Sequence, residues 1–304
     1  MNIFENISKE SFEVKNIIHG TDWWTDCDDV VAMRILARAH KIGLINLLGI
    51  SADAVKSSTA ASIDAFLLNE GVKCEIGIDR EFVPDKVREN YQEMLINYPH
   101  NVENADCIDS VKLYRKCLAS CEGKVNITEV GFLQVLHKLL LSGPDEYSPL
   151  NGTELVKQKV ETLWLMAGKW DVQGGKEYNI VNTPESRRAA AYICENCPVP
   201  VAFLGFEIGC DVLTGQFLSD DDMLKKAINI NKNGRPSFSW DPMLCLLAVL
   251  GAEKAGYDLV RGKASVNPES GENYFEKCDD GNHFYVVRRE KPEYYSDMIN
   301  SLIE

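Results

Sequence analysis

Positive charge is scarce in this sequence. Only 32 Lys and Arg stand against 46 Asp and Glu, a formal net charge of −14 over 304 residues. Binding to a phosphate backbone or an anionic membrane draws on clustered cations, so nucleic acid and membrane surfaces are poor partners, and a neutral or cationic small molecule is the expected ligand. Uncharged apolar runs of bilayer length are missing as well. The start, Met1-Asn2-Ile3-Phe4-Glu5-Asn6, has neither the basic opening nor the apolar stretch of an export signal, and the expected location is the cytoplasm. Paired CxxC motifs are lacking: Cys194-Glu195-Asn196-Cys197 stands alone with Pro198 directly after it, which argues against a zinc ribbon. The ten cysteines fit reduced thiols, most of them small buried hydrophobes. Linkers rich in Pro, Gly or Ser are absent, and so are repeats, which makes one domain over residues 1–304 the simplest organisation. With 45% hydrophobic residues there is ample material for its core.

What is present is alternation. Apolar, β-branched runs at Asn16–Gly20, Leu44–Ile50, Lys73–Ile78, Val125–Val130, Glu161–Ala167 and Val199–Gly205 read as strands. Helical patterns lie between them at Val30–Lys41, Ser58–Asn69, Cys107–Ser120, Phe132–Leu141 and Pro184–Asn196, the last opened by Thr183 as cap and Pro184 in the first turn. This is the pattern of an α/β fold with a mainly parallel, Rossmann-like sheet flanked by helices. The final third continues with helices at Asp241–Lys254 and Tyr294–Ile303 and extended segments at Tyr257–Val266 and His283–Arg289. In such sheets the ligand crevice forms from loops at the carboxyl ends of the strands.

Those loops are where the chemistry gathers. Asp22, Asp26, Asp28 and Asp29 fall within eight residues between the first strand and the first helix. Like charges ~4 Å apart repel by roughly 4 kcal/mol per pair at an effective dielectric near 20, and a divalent cation is the simplest compensation. Two plainer readings compete: Asp28 and Asp29 as helix-capping residues, and Asp22 and Asp26 as a solvated loop. Three further places are loaded. Thr128-Glu129-Val130-Gly131-Phe132 runs from strand to helix through a Gly that frees the preceding carbonyl. Trp164-Leu165-Met166-Ala167-Gly168-Lys169-Trp170 leads to Glu177-Tyr178-Asn179-Ile180. In Ser239-Trp240-Asp241-Pro242, Asp241 is placed as the cap of a helix with Pro242 in its first position.

The order of these features over nearly the whole chain resembles the nucleoside hydrolase family, in a divergent branch of its inosine-uridine preferring type. The first loop is similar to the family's DxDPGxDDA signature, with Asp22, Asp28 and Asp29 in the last three aspartate positions, although the loop is longer by two residues. The resemblance implies a Ca²⁺ held by Asp22, Asp29, Asp241 and the main-chain carbonyl of Val130, all oxygen donors suited to a hard cation. It also implies a ribose gripped by Asp28, Glu177 and Asn179, with Asp26 near the ion without ligating it; Met166 and Trp240 are further candidates to line the substrate. The implied reaction is hydrolysis of the N-glycosidic bond of a ribonucleoside or related N-riboside to ribose and free base. Asp22 is the general base for water, and the sugar passes through a state of oxocarbenium character. A homodimer or homotetramer is implied by the resemblance alone.

Departures from the family pattern concern the base. Trp240 stands where many members carry a His just before the late aspartate, so the usual acid for the leaving group is missing. His100 is a possible substitute, and Trp23, Trp24, Trp170 and Trp240 are candidates for stacking on the base. Gly20 replaces the first Asp of the signature, and Asp53 stands near the place of an Asn that members often carry after the second strand. The alternatives are a nucleoside- or ribose-binding protein with weak or no turnover and, third, an Asp-dependent phosphatase-like enzyme, the latter disfavoured by the lack of a phosphate cradle.

Overall fold

The computed structural model describes Phe4 and residues 13–24, 26–82 and 90–304. The rest of the N-terminal stretch read above, and Thr25 in the acidic loop, lie outside the described residues. Strands run at β1 Lys15–Thr21, β2 Ile45–Ala52, β3 Ile76–Ile78, β4 Ile108–Asp109, β5 Val125–Glu129, β6 Val160–Met166, β7 Val201–Leu204, β8 Leu213–Thr214, β9 Ser237–Phe238, β10 Tyr257–Val266, β11 Asn273–Lys277 and β12 His283–Arg288. Ten of them form one sheet in the order β11-β10-β12-β7-β6-β5-β1-β2-β3-β4, while β8 and β9 pair separately. Neighbours from β12 to β4 are all parallel, and β10 runs antiparallel to β11 and β12.

β1 is the pivot. The chain lays β2, β3 and β4 to one side of it, then crosses over and lays β5, β6 and β7 to the other. Parallel strands covered on both faces read as unbroken apolar runs, and Ile17 and Ile18, which point to opposite faces, are both fully buried. The reversal of strand order between β1 and β5 leaves a crevice at the carboxyl ends of those strands, the usual place for a ligand in open α/β sheets.

Trp240-Asp241-Pro242-Met243-Leu244-Cys245-Leu246-Leu247-Ala248-Val249-Leu250 is one helix, buried from Asp241 to Leu250 and packed on the helix Asp28–Lys41. A helix apolar on all sides belongs inside, so its single carboxylate at residue 241 must be satisfied there too. Arg34 ties this layer together. Its guanidinium bonds Glu70 at 2.9 Å, Asp222 at 2.8 and 2.9 Å and the carbonyl of Ile303 at 3.0 Å, so the buried charge is fully paired.

The observed boundaries correct several expected ones. The first helix begins at Asp28 after Cys27, so Asp28 and Asp29 sit in its first turn and do not cap it. Ser239 precedes the helix Trp240–Leu250, which places Asp241 in the first turn as well. Asp241–Lys254 is split after Leu250, because Gly251 takes φ 82° before the short helix Ala252–Ala255. Gly152–Lys159 and Met223–Lys232 are helices for which no expectation was formed. Among the described residues, no helix is long and apolar enough to cross a membrane.

Candidate active site

At the end of β1 the chain turns back on itself through Trp23, a bulky residue at φ 46°. That backbone is uncommon for such a side chain, and the surroundings hold it. The Trp23 amide donates to Thr21 Oγ1 at 3.0 Å and to Asp29 Oδ1 at 3.2 Å, its indole donates to Ser62 Oγ at 2.9 Å, and its carbonyl takes a bond from Gln92 Nε2. The turn presents Asp22 and the first turn of the following helix to one point.

Asp28, Asp29 and Asp241 each place a carboxylate oxygen within 4.8 Å of the others, all buried. The amide of Asp241 donates to Asp28 Oδ2 at 3.2 Å, and Thr21 Oγ1 donates to Asp29 Oδ1. Asp22 stands beside Asp29 and accepts the Trp24 amide at 3.0 Å. Burial above all, and then mutual repulsion, holds all four carboxyls well above their ordinary range. Lys232, a cation close to the loop, is spent on Asp26. A buried set of carboxylate oxygens short of positive charge fits a hard divalent cation. Compared with the expected ligands, the mutually close trio contains Asp28, with Asp22 adjoining it through Asp29. Asp26, bonded to Lys232 and to the Cys27 amide at 2.7 Å, braces the loop from outside.

The Val130 carbonyl and the Glu177-Asn179 turn meet as a unit. Asn179 Nδ2 donates to Val130 O at 2.8 Å and to Met166 O at 2.9 Å, joining the ends of β5 and β6. Both amide protons are thereby committed, so what the side chain can offer a ligand is its carbonyl oxygen. Glu177 accepts the amides of Asn179 at 2.7 Å and Gly168 at 3.0 Å, and burial outweighs these bonds to push its carboxyl up to about 7. Gly131 binds this unit to the acidic loop, since a Cβ there would lie 2.5 Å from the Asp22 nitrogen and 2.6 Å from Asp53 Oδ2.

A layer behind the loop holds two more carboxylates. Gly20 pairs in register with Glu129 on β5, and a Cβ at residue 20 would lie 2.0 Å from Glu129 Oε2. The Glu129 side chain therefore fills the space that any side chain at position 20 would occupy. It accepts the Tyr114 hydroxyl at 3.2 Å and the Gly131 amide at 3.3 Å, and burial pushes it up to about 8. Asp53 lies fully buried nearby, its carboxyl pushed up by burial and by Glu129 against the lowering effect of the Phe132 amide. Glu129 was not singled out from the sequence. Only the cross-strand pairing with Gly20 reveals it.

The aromatic candidates separate. Trp23 is core, packed on Phe66 and Tyr91, and so is Trp170, packed on Phe203 and Phe275. Trp24 lies beside Phe132 at the rim of the loop. Trp240, next to Asp241, stacks on Phe206 with centroids 5.4 Å apart and bonds the Phe206 carbonyl at 2.7 Å. His100 keeps both ring nitrogens within its own turn, on the Tyr98 carbonyl at 2.9 Å and on Glu103 at 3.2 Å.

No family model matches the sequence, and no curated protein matches it. Its fold, by contrast, is shared with solved structures over almost the whole chain. It is similar to the inosine-uridine preferring nucleoside hydrolase from Bacillus anthracis, with 16% identity, 95% of this chain and 99% of that chain covered and a TM-score of 0.65. An inosine-guanosine nucleoside hydrolase matches with 12% identity, 95% and 98% coverage and a TM-score of 0.70. The type III effector protein XopQ, solved with adenosine diphosphate ribose, matches with 12% identity, 98% and 95% coverage and a TM-score of 0.70. The strand order, the reversal at β1 and the near-complete overlap with these structures identify the nucleoside hydrolase fold in this chain, at low sequence identity.

Proposed function

We propose that this chain is an N-glycosyl hydrolase that splits a ribonucleoside or related N-riboside into ribose and free base. The observation that carries the reading is the convergence of Asp28, Asp29 and Asp241 at the switch point of this fold, with Asp22 and the Asn179–Val130 contact beside them. Asp22, Asp29, Asp241 and the Val130 carbonyl would hold Ca²⁺. When bound, the ion supplies the positive charge that keeps these carboxylates ionised and polarises water and the sugar hydroxyls. Asp22 takes the proton of the attacking water. Asp28 accepts a ribose hydroxyl, and Glu177 and Asn179 orient the sugar, aided by the apolar side of Met166. As the bond to the base lengthens, positive charge grows on the ring, and the surrounding carboxylates favour it. Trp240, braced by Phe206, forms the wall against which the base lies. The whole chain acts as one cytoplasmic domain in a homodimer or homotetramer.

The test is release of reducing sugar from purine and pyrimidine ribonucleosides, with and without a chelator. Asp22→Asn and Asp241→Ala are each expected to lower the rate by at least about a hundredfold. Full activity in either variant defeats the assignment. A second reading, binding without turnover, draws on the absence of a His before Asp241 and on a similar fold solved with adenosine diphosphate ribose. Saturable ribonucleoside binding with no free base after hours would favour it.

A further inference from the structure

One ammonium at this acidic site has no acceptor among the described residues. Lys56 lies in the turn after β2, its backbone held by its amide on Thr59 Oγ1 at 2.8 Å and its carbonyl under Asn104 Nδ2 at 2.5 Å. Its Nζ is buried and, among the described residues, makes no hydrogen bond. It sits 5.3 Å from the ring centroid of Trp24, whose amide donates to Asp22. Leaving a buried ammonium unbonded is costly, and in a chain this rich in carboxylates an unpaired lysine head is against expectation. The surroundings explain how it is kept so. Trp24, Ala54 and Phe132 form an apolar cluster with Phe82 against it, and the exposed ring of Tyr178 continues that wall 6.1 Å from Phe132. An indole face attracts an ammonium but cannot take its proton. Burial lowers the lysine's pKa, while Asp22 and Glu93 hold it up.

We propose that Lys56 is the proton donor to the departing base, a role that rests on the N-riboside reading above. In this step the bond between the sugar's anomeric carbon and the base nitrogen breaks, and its electron pair goes to the base. Lys56 gives a proton to the base and regains one from solvent. Water forms the new carbon–oxygen bond and passes its proton to Asp22, which returns it to solvent, so that one water is consumed and neutral base and ribose leave. The indole of Trp24 holds the ammonium at the rim of the site without neutralising it, which leaves the proton available to whatever acceptor enters.

The experiment compares two substrates in the full chain with Ca²⁺: inosine, whose base needs a proton to leave, and 4-nitrophenyl riboside, whose phenolate does not. Lys56→Met is expected to lower kcat on inosine by about 10²–10⁴-fold with little change in KM, and to leave the nitrophenyl riboside within about threefold. Lys56→Arg, which keeps the charge but does not surrender a proton, is expected to follow Lys56→Met on inosine. Equal losses on the two substrates, a loss confined to KM, or an Arg variant as fast as the wild type overturns the proposal. Wild-type protein that cleaves neither substrate overturns the N-riboside reading itself, and this inference with it.

Discussion

A glycine and a glutamate on neighbouring strands share one space. Gly20 has no side chain because Glu129 reaches over it from β5. Adding Asp at position 20 would therefore press two carboxylates into one space, whereas removing Glu129 at the same time would clear it. Gly20→Asp is expected to destabilise the protein by about 1–3 kcal/mol, and the double variant Gly20→Asp with Glu129→Ala to recover most of that in urea unfolding. The same Glu129 makes stability depend on pH. Folding raises its pKa from 4.5 to about 8, so the folded state keeps a proton that the unfolded chain loses. Stability of the cation-free protein thus falls as pH climbs from about 4.5 to about 8 and levels off above it. Glu129→Gln lacks this loss. It is expected to match the wild type near pH 4 and to exceed it by on the order of a few kcal/mol near pH 9 in denaturant titrations.

At the scale of elements, the helix Trp240–Leu250 is the piece that brings Asp241 to the first loop. Leu246 is fully buried on it, and Leu246→Ala is expected to cost about 2–5 kcal/mol in denaturation and to weaken Ca²⁺ binding in titration, since the cavity lets the helix shift under its carboxylate. Elements of this kind were legible beforehand. The Thr183-Pro184 start places a helix at Pro184–Asn196 and the alternating run Tyr257–Val266 a strand, both as observed. The helix Met223–Lys232 escaped notice because its Asn, Lys and Gly neighbours carry loop chemistry, and only burial of Leu224, Ala227 and Ile228 on one face reveals the pattern. In the site, the acidic loop and the Glu177-Asn179 turn could be read from local runs. The Glu129–Gly20 contact and the lone Lys56 head could not, because each is created by strand pairing or by a neighbouring ring and leaves no mark in the local sequence.

For the molecule as a whole, acidic residues outnumber basic ones by 14, and three of the acidic residues meet in one buried cluster. In the absence of a cation, burial and mutual repulsion hold the carboxyls of Asp22, Asp28, Asp29 and Asp241 well above their ordinary range, so the cluster keeps protons more readily than free aspartates do. Adding Ca²⁺ at pH 6 is expected to release protons, measurable as a buffer-dependent heat, and at a hundredfold excess over its Kd to add about 2.7 kcal/mol to stability. A Tm and a buffer pH that stay put on adding Ca²⁺ would remove the ion from the site. Asp28 and Asp241 are 213 positions apart, yet the backbone of one donates to the side chain of the other. A growing polypeptide that has not yet passed residue 241 carries the acidic loop with no closing partner. If this cluster holds an ion as proposed, the competence to capture it is acquired late in synthesis and all at once, and a chain cut before residue 241 is expected to be blind to calcium however well its first strands have formed.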